Sequence, residues 1–344
     1  MGKCYYMIDS IKGGCGKTTF AIMLAQFLQK ANEDRSVDDR VCLLDFDFLG
    51  TGLAYLFFAE SVSTRLTRDY EYITKIIRGF DIDDKKYLYD GKIGDTPFLV
   101  GFGDPDYRKK EACYISSKLN YTPVIHYGVF RNGIQKILKK NFEDQIDKTV
   151  ESVVLDMSPG MDAYSQIVKD CLFDKRHSSF LNEDDKRYYF LMTGTDNSQL
   201  HAATNYFQEF IYSEDKKPDR MFIVLNDWVD LAKGDEREEN KRKEYYDAWI
   251  SEFESSLKIS KSDKDNIIFL VPHYFGKYWT STHQRTALVD IGKDEHIFEA
   301  LPFRYWKKWE EKNLKVVEAE DCKELIYSSK TVKSKGELLK CLKE

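Results

Sequence analysis

The sequence has few of the features that mark secreted, metal-binding or membrane-spanning proteins. Its seven cysteines are scattered along 344 residues, with no CxxC pair and no metal-like spacing of cysteine and histidine. No stretch approaches the roughly 18 apolar residues that a membrane span needs, and the N-terminal apolar run is too short for a signal peptide. We therefore expect a soluble protein with free thiols in the reducing cytoplasm.

The sequence also lacks a strong charge of either sign. The formal net charge of −6 provides no general attraction to nucleic acid or to an anionic membrane, so such binding would have to be local. No internal repeat or low-complexity segment is present. The length is ample for a substantial core in one large domain or in two smaller ones.

Short apolar runs alternate with helix-like segments, and most of the runs are apolar on both faces, as strands of a covered parallel sheet are. The predicted strands are residues 4–11, 40–47, 97–103, 152–158, 187–195, 220–227 and 266–273. The predicted helices are residues 17–31, 131–141, 162–172, 197–213 and 236–258. This alternation predicts an α/β fold with a doubly wound, mostly parallel sheet flanked by helices.

Two regions depart from the alternation. Residues 60–145 lie between the second and fourth predicted strands of the main pattern and include the helix-like stretch TRDYEYITKIIRGF. Residues 291–344 hold an aromatic-rich helical pattern and a polar, lysine-rich tail. We predict one domain over residues 1–290 with an insertion at about 60–145, followed by a C-terminal helical extension.

A glycine-rich loop, KGGCGKTT, follows the first predicted strand. Gly13, Gly14 and Gly16 can adopt backbone angles that other residues avoid, so successive N–H groups can turn inward around an anion. A helix that begins at Lys17 would direct the positive end of its dipole at the same anion. The alternative is a glycine turn that caps an ordinary helix.

The residues after the glycines complete a phosphate-binding pattern. Lys17 is expected to contact the β- and γ-phosphates, and the Thr18 hydroxyl is expected to bind Mg²⁺. Cys15 needs only to be small, and Thr19 belongs to the same phosphate-lining segment.

Carboxylates follow two of the predicted strands. Asp45 and Asp47 alternate at the end of one strand, so their side chains are expected to point the same way. Asp156 ends another apolar run. The end of a parallel strand is where open α/β sheets place ligands. Helix-capping or solvated aspartates, or a buried strand that ends in a turn, are the alternatives.

Lys12 leads the loop, and Ile11 occupies the place where the pattern G-x-x-x-x-G-K-[ST] has its first glycine. This arrangement resembles the deviant Walker A motif of the ParA/MinD family of P-loop ATPases, in the SIMIBI class. The resemblance implies a P-loop NTPase fold, ATP and Mg²⁺ as cofactors, and an ATP-dependent homodimer. It also implies that Lys12 reaches the partner's nucleotide, although Lys12 acting within its own subunit stays open.

The resemblance extends to the carboxylates. It implies that Asp47 orients or deprotonates the attacking water, which makes Lys12, Lys17 and Asp47 the expected catalytic residues. Asp45 and Asp156, with Thr18, are the expected metal ligands. The segment Ser158-Pro159-Gly160 resembles the family's second switch, in which the Gly160 N–H senses the γ-phosphate. The Phe48-Leu49-Gly50 turn differs from the family's Pro-Gln-Gly, and we expect slow hydrolysis without a partner.

Base recognition is expected from two further positions. Asn226 ends a predicted strand where the family uses an asparagine to read adenine, and Pro272 matches a proline that lines the base pocket. Asp227 replaces the arginine or lysine that is more usual beside the asparagine. We expect ATP rather than GTP.

The partner of such a switch is less defined. Residues 107–140 carry eight basic residues against one acid, with interleaved tyrosines, and could bind DNA without sequence preference; a solvated basic face is the alternative. The basic residues are Arg108, Lys109, Lys110, Lys118, Arg131, Lys136, Lys139 and Lys140. Membrane targeting by the short, weakly apolar tail is not expected.

The leading hypothesis is therefore a DNA-associated partition or positioning ATPase. The alternative is a regulatory ATPase that grips a protein partner, which would also stimulate hydrolysis. A metabolic P-loop phosphotransferase is a third interpretation, for which the sequence shows no acceptor pocket.

Overall fold

The computed structural model describes the chain in segments. The described residues are 2–33, 39–47, 53, 72–79, 86–93, 96–103, 123–139, 149–160, 163–194, 197–208, 218–226, 236–260, 267–272, 315–316 and 326–328. The chain divides into two compact units. Met1–Asp9, Lys17–Arg187 and Asp215–Lys217 belong to the first, and Ser10–Gly16, Tyr188–Glu214 and Pro218–Glu344 belong to the second.

Ten strands lie in the described residues. The strands are β1 (Cys4–Ser10), β2 (Asp39–Phe46), β3 (Tyr89–Ile93), β4 (Thr96–Gly101), β5 (Thr149–Met157), β6 (Lys186–Thr193), β7 (Arg220–Leu225), β8 (Ile267–Pro272), β9 (Lys315–Val316) and β10 (Ile326–Ser328). Six helices accompany them. The helices are α1 (Lys17–Glu33), α2 (Ile73–Ile77), α3 (Pro123–Lys139), α4 (Ala163–Phe173), α5 (Asn197–Tyr206) and α6 (Glu236–Ser256).

In the first unit the strands lie in the order β3-β4-β2-β5-β1. Strands β4, β2, β5 and β1 pair in parallel, and β3 pairs antiparallel to β4 at the edge. Helix α1 packs on β2 and β5 through apolar residues four positions apart, Phe20, Leu24 and Leu28, all of which are buried. The carboxyl ends of the parallel strands therefore meet at one edge, where the loop after β1 begins.

In the second unit β6, β7 and β8 pair in parallel. Strand β10 pairs antiparallel with β8 and with β9. Helices α5 and α6 pack against each other, and Phe207 and Trp249 both contact the ring of Phe253. The parallel strands are apolar on both faces. Burial on both faces is seen most clearly in β6, where every residue from Tyr188 to Met192 is buried.

The predicted α/β class with a mostly parallel sheet is confirmed, and each of the seven predicted strands is present. The helix predicted over 131–141 is part of a longer helix that begins at Pro123, since proline suits a first helical turn. Strand β3 was missed because its sequence, YDGKI, contains Asp and Gly, which strands disfavour. The domain boundary predicted near residue 290 lies outside the described residues.

Candidate functional site

The loop between β1 and α1 has the backbone that its glycines predict, with one difference. Gly14 and Gly16 have φ angles of +78° and +85°, which favour glycine, whereas Gly13 is not among the described glycines with positive φ. The Ser10 hydroxyl donates to the Lys12 carbonyl at 2.8 Å. Residues 12–14 are exposed and Cys15 is buried. The outer part of the loop is thus open to a ligand.

Lys17 begins α1 and has only 5% of its surface exposed. The first turn of α1 contains no acidic residue, so no side chain of that turn offsets the positive end of the helix dipole. Thr18 and Thr19 follow in the same turn and are half-buried. Two sources of positive potential, the Lys17 ammonium group and the helix N-terminus, therefore coincide at the start of α1.

The carboxylates predicted to act together are brought together in the first unit. Asp45 on β2 and Asp156 on β5 are direct partners in the register of adjacent parallel strands, and both are fully buried. Partners in register point to the same face of a sheet. Asp47 follows β2 and is also buried, and its backbone N–H donates to Oδ1 of Asp45 at 3.1 Å.

The ionisation of Asp156 is altered by its surroundings. Burial raises its pKa to about 7, and the Asp47 charge adds to this effect, whereas Lys17 and the Thr18 hydroxyl act to lower it. Neither carboxyl oxygen of Asp156 has a hydrogen-bond partner within normal distance among the described residues. A buried, unsatisfied carboxylate beside a second carboxylate is a donor set that suits a hard divalent cation.

The described residues contain no group of three or more His, Cys, Asp or Glu side chains that could hold a metal ion by themselves. Mg²⁺ in phosphate-transfer sites commonly takes one or two carboxylates and completes its coordination with phosphate oxygens and water. The arrangement of Asp45, Asp156 and Thr18 fits that kind of site.

The segment that resembles a switch contacts Asp47. The Ser158 hydroxyl donates to the Phe46 carbonyl at 3.2 Å and lies 3.4 Å from Oδ1 of Asp47. Gly160 has a φ of +89°, a backbone conformation that would strain other residues. The segment after β5 is therefore linked directly to the carboxylate predicted to handle the attacking water.

The side chain of Asn226 contacts the glycine loop. Its side-chain nitrogen Nδ2 donates to the Cys15 carbonyl at 2.5 Å, and its backbone N–H donates to the Thr193 carbonyl at 2.7 Å. Pro272 ends β8, the parallel neighbour of β7. The role predicted for Asn226 and Pro272, recognition of adenine, stays a prediction.

A buried ion pair next to the loop was missed. Asp9, the residue before Ser10 in β1, pairs with Lys169 of α4. The available signal was an aspartate within the largely apolar run CYYMIDSI. Nothing in the sequence marked Lys169 as a buried residue. In the structure most residues of α4 are buried, and Lys169 is one of them.

Much of the predicted basic region lies outside the described residues, as do Phe48-Leu49-Gly50 and most of residues 291–344. Within the region, Arg131, Lys136 and Lys139 lie on α3. Lys136 and Lys139 are exposed, whereas a guanidinium nitrogen of Arg131 lies 3.4 Å from Nδ1 of His177. Two lysines are thus exposed to solvent on the described part of this region.

Two further predictions concern the whole chain. The described cysteines, Cys4, Cys15, Cys42 and Cys171, take part in no disulfide. In the part of the chain that the structure describes, no helix combines the length and the apolar character required to cross a bilayer.

Comparison with known proteins gave matches among solved structures. No family model matches the sequence, and no curated protein matches it. A plasmid partition protein from Borrelia burgdorferi is 14% identical, with 86% of this chain and 100% of that chain covered and a TM-score of 0.45. The ParA protein of pNOB8 bound to nonspecific DNA is 13% identical, with 86% and 97% covered and a TM-score of 0.45.

A third similar structure is a protein of Borrelia burgdorferi B31 assigned to plasmid partition and bound to AMPPNP. It is 16% identical, with 74% of this chain and 97% of that chain covered and a TM-score of 0.41. These structures include ParA, a member of the family that KGGCGKTT resembles. The likeness is distant, with low identities and TM-scores in each case.

Proposed function

We propose that this protein binds ATP with Mg²⁺ and hydrolyses it slowly, and that the nucleotide controls a homodimer. The observation that carries the proposal is the buried charge cluster of the first unit, in which the charges of Lys17 and Asp47 both act on Asp156 while Asp45 pairs with Asp156 in register. Three buried carboxyl groups and a buried ammonium group are costly to keep in a protein interior unless function requires them.

The proposed division of roles follows the position of each group. Lys17 and the start of α1 bind the phosphates, with the amides of Gly13, Gly14, Cys15 and Gly16 lining them. Thr18, Asp45 and Asp156 hold Mg²⁺, which when bound offsets phosphate charge. Asp47 accepts a proton from the attacking water or orients it, and the Ser158 hydroxyl positions the Asp47 carboxylate.

Lys12 is proposed to act across a dimer. It is exposed at the tip of the loop, in contrast to the buried Lys17. A cation in this position can approach the phosphates of a second subunit, as an arginine finger does. ATP would then hold the dimer together and hydrolysis would release it.

DNA is the proposed partner of the ATP-bound dimer. Lys136 and Lys139, three residues apart and both exposed on α3, lie on one face of that helix. Such a face can neutralise backbone phosphates without reading sequence. The lack of a disulfide at the four described cysteines supports the cytoplasm as the proposed location.

The proposal is tested by titrating the purified chain with ATP, GTP and Mg²⁺ in a calorimeter, beside Lys17→Met. The wild-type chain is expected to bind Mg-ATP, with weaker binding of Mg-GTP. Lys17→Met is expected to lose most of the affinity, because the ammonium group has no replacement. Lys86→Met, at an exposed lysine of the same unit, is the matched control. Absence of heat from every nucleotide would refute the proposal.

A further inference from the structure

Asn226 connects the glycine loop to two strand ends of the second unit. Asn226 follows β7 and has 4% of its surface exposed. Its backbone N–H donates a hydrogen bond to the carbonyl of Thr193 at the end of β6, which holds the residue in position. Its side chain then reaches Cys15, which is 211 positions away in the sequence. The amide group is therefore held by the sheet and is directed at the loop.

The orientation of the amide follows from its partner. A carbonyl oxygen only accepts hydrogen bonds, so the nitrogen Nδ2 must face the Cys15 carbonyl; a flipped amide would place two oxygens in contact. The other atom, Oδ1, is buried and has no hydrogen-bond partner among the described residues. Asn226 thus makes its described side-chain contact as a donor to the loop backbone.

Cys15 lies between the two glycines with left-handed backbone angles, Gly14 and Gly16. In a loop that binds an anion through successive N–H groups, the carbonyls must point away from the anion. A donor that holds the Cys15 carbonyl from the side of the sheet favours that orientation. The burial of Cys15 beside the exposed Gly13 and Gly14 agrees with a loop fastened at this residue.

We propose that Asn226 is a positioning residue that holds the glycine loop in its phosphate-binding shape, whichever base the nucleotide carries. The proposal rests on the proposed function, because it concerns the same phosphate site. It differs from the recognition of adenine that the sequence resemblance implies for Asn226. A base-reading residue discriminates ATP from GTP, whereas a loop-positioning residue affects every ligand that carries the phosphates.

Inorganic tripolyphosphate separates these two roles, because it has the phosphates and no base. Its affinity, with Mg²⁺, should be measured by calorimetry for the wild-type chain, Asn226→Ala and Asn226→Leu, beside ATP and GTP. Both variants are expected to bind all three ligands roughly tenfold more weakly, the factor for one net hydrogen bond. Asn205→Ala, at an exposed asparagine of α5, should match the wild type. Unchanged tripolyphosphate affinity in the variants, with a loss confined to ATP, would overturn the proposal.

A second measurement tests the loop directly and without any ligand. Hydrogen exchange of peptides covering residues 10–16 should be faster in Asn226→Ala, whereas peptides from α5 and α6 should exchange as in the wild type. If only Asn226→Leu folds well enough to be measured, the same comparison is made with that variant. Exchange in the loop equal to that of the wild type would overturn the proposal with either variant. Failure of the wild-type chain to bind tripolyphosphate or nucleotide would instead refute the proposed function, and the exchange result would still decide whether Asn226 fastens the loop.

Discussion

The ammonium group of Lys169 lies 2.7 Å from Oδ2 of Asp9, and both side chains are buried. The pair joins the end of β1, immediately before the glycine loop, to α4, the helix that follows the Ser158–Gly160 segment. A buried ion pair contributes little net stability, because desolvation offsets most of the attraction. Removal of one partner is strongly destabilising, because the charge of the other partner is then left uncompensated in the interior.

Lys169→Met should accordingly destabilise the chain by about 3–5 kcal/mol, as expected when a buried pair loses one member. The double variant Asp9→Leu/Lys169→Met should recover most of this loss, because no uncompensated charge remains. Urea unfolding followed by circular dichroism measures both changes. Lys175→Met, at an exposed lysine close to α4, should unfold like the wild type. Equal stability of Lys169→Met and the wild type would contradict the importance of the pair.

The stability of the ligand-free chain should fall with rising pH through Asp156. Its pKa is raised from 3.8 to about 7 in the folded state, so between these values the folded chain keeps a proton that the unfolded chain has lost. The contribution is complete below about pH 4 and is lost as pH rises through 7. The difference corresponds to on the order of 4 kcal/mol.

Asp156→Asn should remove this dependence. In metal-free and nucleotide-free buffer, the free energy of unfolding of Asp156→Asn should decline less than that of the wild type between pH 5 and pH 8. Asp184→Asn, at an exposed aspartate, should follow the wild-type curve. Parallel curves for Asp156→Asn and the wild type would show that Asp156 ionises normally.

Lys12→Ala should separate nucleotide binding from dimerisation. Because Lys12 is exposed and Lys17 is buried in the same motif, the variant should retain the affinity of the monomer for ATP within a few-fold. Its ATP-dependent dimer fraction in light scattering should decrease. Lys86→Ala serves as the exposed control, and a dimer fraction equal to that of the wild type would reject a role for Lys12 across the dimer.

Asp47→Ala should bind Mg-ATP and fail to hydrolyse it, with phosphate release at least about 100-fold slower, as expected on loss of a general base. Ser158→Ala should reduce turnover by a smaller factor, because Ser158 acts only through its contact with Asp47. Single-turnover phosphate release gives both rates. If Asp47→Ala releases phosphate at the wild-type rate, the water-activating role belongs to another group.

Replacement of two lysines on α3 by glutamates should weaken DNA binding. Lys136→Glu/Lys139→Glu should lower the retention of long, nonspecific DNA in the presence of ATP and reduce its salt dependence, since each lysine that contacts a phosphate releases about one counterion. Lys175→Glu/Lys258→Glu, at two exposed lysines elsewhere, makes the same charge change. Equal gel shifts for the two double variants would exclude α3 as the DNA-binding face.

The sequence predicted those parts of the site that depend on neighbouring residues. The glycine loop, the start of α1 at Lys17 and the strand ends at Asp45 and Asp156 are all local patterns of glycine, apolar runs and charge. The pairing of Asp45 with Asp156 in register was expected only in so far as the resemblance makes both metal ligands, because the register depends on β2 and β5 being adjacent. Strand order is set by packing between segments far apart in the chain.

The contacts of Asn226 and Lys169 could not be predicted in this way. Asn226 and Cys15 meet only after β7 has taken its place beside β6. Lys169 lies on a helix whose burial gives no clue that a lysine there faces an aspartate. Long-range polar contacts of this kind have no periodic signature, since a single side chain carries each of them.

The adjacency of Asp45 and Asp156 on neighbouring strands has a consequence for laboratory evolution. Two acids side by side in a dry sheet interior oppose folding, so selection for heat resistance alone should recover neutral residues at these positions before it improves any other part of the first unit. A library selected for both heat resistance and nucleotide turnover should keep both acids. Its stabilising substitutions should lie at other positions.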